Sequence, residues 1–127
     1  MVDLNFNSVL ISSENPKKLR AFYEKVLDKK PDMDMNGYFG FLVGSAFLSF
    51  GPHDKLKGKS KDPNRILINF ESHDVKKEFE RIKKLGAKVV AEPYTMGDMP
   101  GFIATFADPD GNLFQLLPPW EPSEEGK

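Results

Sequence analysis

"FADPDGNLFQLL", residues Phe106 to Leu117, joins a turn to an alternating run, and its reading decides the fold. Asp108, Pro109, Asp110 and Gly111 are residues a tight reversal favours: Pro presets φ, Asp bonds its own backbone, and Gly accepts positive φ. "GFIATFADPDGNLFQLL" (101–117) therefore reads as a β-hairpin. The same acids do not read as a calcium loop. An EF-hand needs Gly at position six and Glu at twelve, whereas Gly111 comes fourth when Asp108 is counted as the first. Gln115 is the one polar side chain inside the second strand, which raises the question of why an amide stands there.

Upstream, "RILINFES" (65–72) alternates as a strand, with Ile66, Ile68 and Phe70 on one face and Leu67, Asn69 and Glu71 on the other. Asp74 is placed to cap a helix whose buried stripe is Val75, Phe79, Ile82 and Leu85, and Gly86 ends it. "AKVVAEP" (87–93) is a short strand. The order of elements occurs once before. "LNFNSVLISS" (4–13) is a strand with Val9 and Ile11 on one face and Ser8, Leu10 and Ser12 on the other. Asn15 caps a helix with Pro16 at its first position and Leu19, Phe22, Tyr23, Val26 and Leu27 at helical spacing. "NGYFGFLVGSAFLSFGP" (36–52) reads as two strands joined at Gly44–Ser45. "SENPKK" (13–18) lies over "SHDVKK" (72–77). The chain thus holds two copies of strand, helix, then two or three strands. A unit of about 60 residues built this way buries a helix on one sheet face and leaves the other bare. Two such sheets are expected to curl their bare faces around a shared cavity, helices outside, with mixed apolar and polar walls.

Composition narrows the function classes. At 127 residues and 39% hydrophobic, with 11 Phe against 1 Trp, the chain supports one core-bearing domain rich in rings. The formal net charge of -1 gives no field that favours nucleic acid or an anionic membrane. Cys is absent, which removes disulfides, thiolate metal sites and Cys nucleophiles. No basic-then-apolar leader and no apolar run of about 18 residues is seen, so a soluble, cytoplasmic protein is expected.

"NSVLISSENPKKLRAFYEKVL" (7–27) followed by "GFIATFADPDGNLFQLLPP" (101–119) resembles the vicinal oxygen chelate superfamily, which includes glyoxalase I, extradiol dioxygenases, fosfomycin-modifying enzymes and bleomycin-binding resistance proteins. "AFY" in the first helix and "DPDGN" in the last hairpin are its most specific parts, and the likeness spans roughly residues 4 to 119. It implies an α+β fold of two βαβββ modules forming a curled mixed sheet around a cavity. The first module covers about 4–52, a linker 53–64, the second module about 65–119, and a tail 120–127. It also implies a homodimer. In metal-dependent members each half supplies two ligands, a His or Gln from the first strand and a Glu from the last. Carried onto this chain, the four places fall on Ser8, Ser49, Leu67 and Gln115. Leu67 cannot bind a metal, and no carboxylate remains among the four to offset an ion's charge. The expectation is a member with no metal and no cofactor.

Other candidates have plainer readings beside the functional ones. His53 and His73, the only histidines, fall in loops without an acid at convincing spacing, so surface placement is favoured. Glu71 is the best candidate for a general base, against the plainer reading that it ends a strand and meets solvent. Lys55, Lys57, Lys59 and Lys61 alternate along the linker and read as a solvated, mobile segment. No aromatic residues interleave with them, as nucleic-acid binding would want. "YTMGDMPGF" (94–102), with Met96 and Met99, is either a lid over an apolar ligand or an ordinary connection. Trp120 either packs over a cavity mouth or serves a subunit contact.

Two functions follow. The favoured one is a metal-independent binding protein that sequesters a drug or metabolite, with Ser8, Ser49, Leu67, Asn69 and Gln115 contacting the ligand. The alternative is an enzyme related to glyoxalases or dioxygenases, acting on a small oxygenated substrate through Glu71 or through a metal held by other groups.

Overall fold

The computed structural model describes residues 2–4, 6–98 and 100–119. Met99, Trp120 and the tail 121–127, all touched by the sequence reading, lie outside the described residues. The chain divides into two compact units, Met1–Lys59 and Ser60–Lys127, with the division inside the Lys-rich linker. The fold class is the expected one: α+β, two βαβββ modules, each with a four-stranded mixed sheet and one helix.

In the first unit β1 (Ser8–Ser13) leads into α1 (Pro16–Leu27), then β2 (Met33–Met35), β3 (Tyr38–Val43) and β4 (Ala46–Pro52). The sheet order is β1-β4-β3-β2, with β1 parallel to β4 and the other pairs antiparallel. Strand β2 escapes the sequence reading, which takes Asn36-Gly37 as the approach to a strand. Those two residues are the turn itself. Their φ values of 53° and 85° suit a two-residue hairpin of the type that needs positive φ twice.

The apolar stripe of α1 buries Leu19, Tyr23 and Val26 against Phe39, Phe41, Leu48 and Phe50. Tyr23 stacks on Phe50 at 4.9 Å between centroids, and Phe50 on Phe39 at 5.1 Å. Asn15 occupies the N-cap position as expected, but its side chain makes no capping bond. Instead its backbone N–H donates to Ser13 Oγ at 3.0 Å.

In the second unit β5 (Leu67–Glu71) leads into α2 (Val75–Lys84), then β6 (Lys88–Tyr94), β7 (Ile103–Ala107) and β8 (Leu113–Leu117). The order β5-β8-β7-β6 repeats the first unit's, with β5 parallel to β8. The β1–α1 turn is repeated too: Asp74 N–H donates to Ser72 Oγ at 3.0 Å. Here the cap is complete, since the Asp74 carboxylate accepts from Lys77 N–H at 3.2 Å.

Val75, Phe79 and Ile82 are buried against Ala104, Phe106, Phe114 and Leu116. Two expected core residues are corrected. Leu85 is 44% exposed because it is the cap residue, one step past the stripe. Ile66 is 71% exposed because β5 begins only at Leu67. Pro93 sits in β6, an edge strand with two register shifts, where a missing N–H costs little. No helix among the described residues is long and apolar enough to cross a membrane.

The final hairpin turn is built around Asp108. Its carboxylate accepts from the backbone N–H of Asp110 and Asn112, both at 2.9 Å, and from Asn112 Nδ2 at 3.1 Å. The residue is 5% exposed, and Gly111 takes a φ of 82°. These acids therefore serve the turn. The linker touches the β1–α1 turn: Glu14 accepts from Gly58 N–H at 3.1 Å and lies 3.6 Å from Lys57 Nζ.

Candidate functional site

Side chains alternate between the two faces of a strand, and residues paired across strands share a face. With one face of each sheet packed on its helix, the ladders assign what stands on the other. In the second unit the central row of that open face is Asn69, Gln115 and Thr105. Leu67, Leu113 and Ala107 form the row on one side, and Glu71 with Leu117 the row on the other. Gln115 is half-buried, and its Nε2 donates to Thr105 Oγ1 at 3.4 Å. Thr105 is 5% exposed, Asn69 is exposed, and Leu67 is 39% exposed. Glu71 is the last residue of β5 and is exposed.

Aligning Ser13 with Ser72 gives the matching row of the first unit: Leu10, Ser49 and Gly40. Ser49 is 8% exposed, and its hydroxyl donates to the Val9 carbonyl at 3.1 Å, so it fastens β4 to β1. Ser8 pairs with Phe47 in the neighbouring row and is exposed. A Cβ on Gly40 would stand 2.5 Å from the Phe47 ring, and one on Gly51 would collide with Tyr38. Both rings therefore occupy the space a glycine leaves free. The result is two rings on a face that also carries Ser8, Ser12 and Ser49.

The ladders put Ser8 and Ser49 on one open face, and Leu67, Asn69, Glu71 and Gln115 on the other. Thr105 is a residue the sequence reading misses. A four-residue turn at 108–111 would set Thr105 opposite Phe114. Asn112 also belongs to the loop, Ala107 pairs with Leu113, and that one extra residue brings Thr105 opposite Gln115.

The four places a metal-dependent relative would use do not fit a divalent ion. Leu67 has no donor atom, Ser8 and Ser49 offer neutral hydroxyls, and Gln115 offers one neutral carbonyl oxygen. Among the described residues no three His, Asp or Glu side chains gather in a metal-binding group.

His53 and His73 lie outside both faces. His53 is in the linker, with Nδ1 accepting from Lys55 N–H at 3.1 Å, and His73 is exposed in the β5–α2 turn. The 95–102 connection is anchored at its far end. Phe102 lies under Lys76 Nζ at 4.0 Å, and Gly101, at φ 87°, packs so closely on Pro118 that a Cβ would come within 2.9 Å. Met96, near its start, is 54% exposed. A concavity of about 450 Å³ is lined by Lys61, Asp62, Pro63, Asn64 and Arg65. It is a feature of the linker turn and holds none of the residues above.

Comparison with known proteins agrees with this geometry. The model of the Glyoxalase/Bleomycin resistance protein/Dioxygenase superfamily matches residues 5–116. Among solved structures, a genomically encoded fosfomycin resistance protein, FosX, from Listeria monocytogenes is similar at 20% identity and TM-score 0.71, covering 94% of this chain and 96% of that one. A glyoxalase-related enzyme from Fulvimarina pelagi is similar at 14% identity and TM-score 0.74, covering 97% and 95%. A lactoylglutathione lyase from Agrobacterium tumefaciens is similar at 16% identity and TM-score 0.68, covering 88% and 91%. At such identities the likeness is one of fold. A search of curated proteins finds no match.

Proposed function

Since the chain belongs to the Glyoxalase/Bleomycin resistance protein/Dioxygenase superfamily, we propose that it binds a small molecule without a metal ion, on the open face of the Ser60–Lys127 unit. The observation that carries this reading is the row Asn69, Gln115 and Thr105, bordered by Leu67, Leu113 and Leu117. Two amides and a hydroxyl, with an apolar row on one side and Leu117 beside the exposed Glu71 carboxylate on the other, offer a small ligand area to bury and a few groups to orient it. The row's central side chain, Gln115, stands where a metal-binding member carries its carboxylate.

The test is a thermal-shift screen of the full chain against bleomycin, fosfomycin and a broad library, with metal content measured on the protein as purified. A ligand that binds only the folded state raises Tm with concentration. No stabilisation by any compound would remove the binding reading, and a stoichiometric divalent ion would remove its metal-independent part. The same reading expects a homodimer, and a monomer in analytical ultracentrifugation would count against that.

A second reading, an enzyme, draws on the names of the fosfomycin resistance protein and the lactoylglutathione lyase that share the fold. It assigns proton transfer to Glu71. Unchanged turnover in Glu71→Gln, on an identified substrate, would remove it.

A further inference from the structure

We infer that Asn36–Gly37, the turn between β2 and β3, is a site of spontaneous deamidation, and that its isoaspartyl product unpairs β2. Asn36 is the one Asn of the chain that is followed by Gly. Glycine has no Cβ to shield its nitrogen from the preceding side chain. Both residues are exposed, with φ values of 53° and 85°. Among the described residues, neither the Asn36 side chain nor the Gly37 N–H makes a hydrogen bond. β2 is a three-residue edge strand, so the turn opens locally at small cost.

The reaction needs only water and hydroxide. Hydroxide takes the Gly37 amide proton, and the nitrogen attacks Asn36 Cγ. The Cγ–Nδ2 bond breaks, and Nδ2 leaves as ammonia with protons from water, which regenerates hydroxide. Water then opens the cyclic imide at either carbonyl. Opening at the side-chain carbonyl gives aspartate, and Asp-Gly suits the same turn. Opening at the main-chain carbonyl sends the backbone through the side chain and gives isoaspartate. That product adds a backbone carbon to a two-residue turn, so Met35↔Tyr38, Asp34↔Phe39 and Met33↔Gly40 no longer hold their register.

The other acid-glycine turn marks the contrast. Asp110–Gly111 has the atoms to cyclise with loss of water. There, however, Gly111 N–H donates to the Asp108 carbonyl at 2.9 Å, and Asp110 N–H donates to the Asp108 carboxylate at 2.9 Å. The nitrogen that would attack is already engaged.

The experiment incubates the full chain in warm, mildly alkaline buffer beside a free peptide of residues 33–40. Peptide mass mapping follows the exchange of NH2 for OH, and isoaspartyl methyltransferase with a labelled methyl donor counts isoaspartate. Residue 36 is expected to convert, faster as hydroxide rises, while 110–111 takes up no label. Asn36→Gly keeps a turn that accepts positive φ and is expected to lose the label. In the isoaspartyl fraction, separated by ion exchange, the NMR amide signals of 33–35 and 38–40 should move to unpaired positions. Asn36→Asp should keep them in place. An unconverted residue 36 where the free peptide converts, or label that persists in Asn36→Gly, overturns the site. An isoaspartyl fraction with unmoved amide signals overturns the unpairing of β2.

Discussion

The two units share a frame and differ on the face that the frame leaves open. Leu10, Ser49 and Gly40 stand in the first where Asn69, Gln115 and Thr105 stand in the second. In the first, the central hydroxyl is spent on the Val9 carbonyl and two rings cover two glycines. In the second, the central amide is half-buried and bonds the Thr105 hydroxyl. Packing a helix on one side of a sheet constrains that side only. The other side is free to carry rings over glycines in one copy and a row of hydrogen-bonding side chains in the next.

The helix-side cores should behave alike, and the largest effects test that. Phe50 in the first unit and Phe106 in the second are both fully buried and both stack on rings from neighbouring elements. Phe50→Ala and Phe106→Ala are each expected to lose about 3–5 kcal/mol in urea unfolding, the usual cost of a ring-sized cavity. A loss below about 1 kcal/mol in either would break the equivalence of the two cores.

The hairpins that precede β4 and β8 sharpen the contrast. Asp108→Ala removes three hydrogen bonds to one buried carboxylate and should cost about 2–3 kcal/mol. Ser45, in the two-residue turn after Gly44, is exposed, so Ser45→Ala should stay within about 0.5 kcal/mol. Equal costs would mean that the Asp108 clamp adds nothing to the turn.

The open faces supply the next two effects. Gly40→Ala should cost about 2 kcal/mol, because its Cβ meets the Phe47 ring. Trimming the ring in Gly40→Ala/Phe47→Leu should recover part of that, and no recovery would mean that the ring is not what the glycine accommodates. Ser49→Ala should cost about 1 kcal/mol by freeing the Val9 carbonyl, whereas Gln115→Met should stay within about 0.5 kcal/mol. The reverse ranking would make Gln115 the structural group and Ser49 the open one.

What the sequence made legible follows the same division. Faces set by local periodicity were readable: Val9 and Ile11 against Ser8 and Leu10, or Val75, Phe79 and Ile82 along one helix. Turn chemistry was readable where the residue types are specific, as at Asp108–Gly111. It was missed at Asn36-Gly37 because the three-residue β2 carries Asp34 at its centre and shows no apolar run. Partners across strands were harder. Whether Ser49 faces a ligand or bonds Val9 depends on a parallel ladder between residues 40 apart. Thr105 becomes visible only when β7 is read with its partner β8.

The smallest expected effect concerns how each sheet is finished at its edge. In the second unit the edge strand β6 is long, and its bulges, Pro93 and the exposed Lys88 and Glu92 blunt it. In the first, the short β2 is held by charges. Arg20 reaches Asp34 at 2.6 Å, and just before β2 Asp32 receives Lys29 Nζ at 2.8 Å and Leu42 N–H at 2.7 Å. The Lys29 bond, then the Leu42 amide, hold the Asp32 carboxyl below its ordinary 3.8. A carboxyl depressed in the folded state stabilises it above the unfolded value, and that contribution is lost as pH falls through the folded value. Stability should therefore decline on the acid side, and Asp32→Asn should flatten part of that decline between about pH 5 and pH 2. The group is exposed, so solvent and salt screen it and the change in Tm against pH should be small. Parallel acid limbs for the two proteins would show that Asp32 is not what ties the start of β2 to β3 in a pH-dependent way.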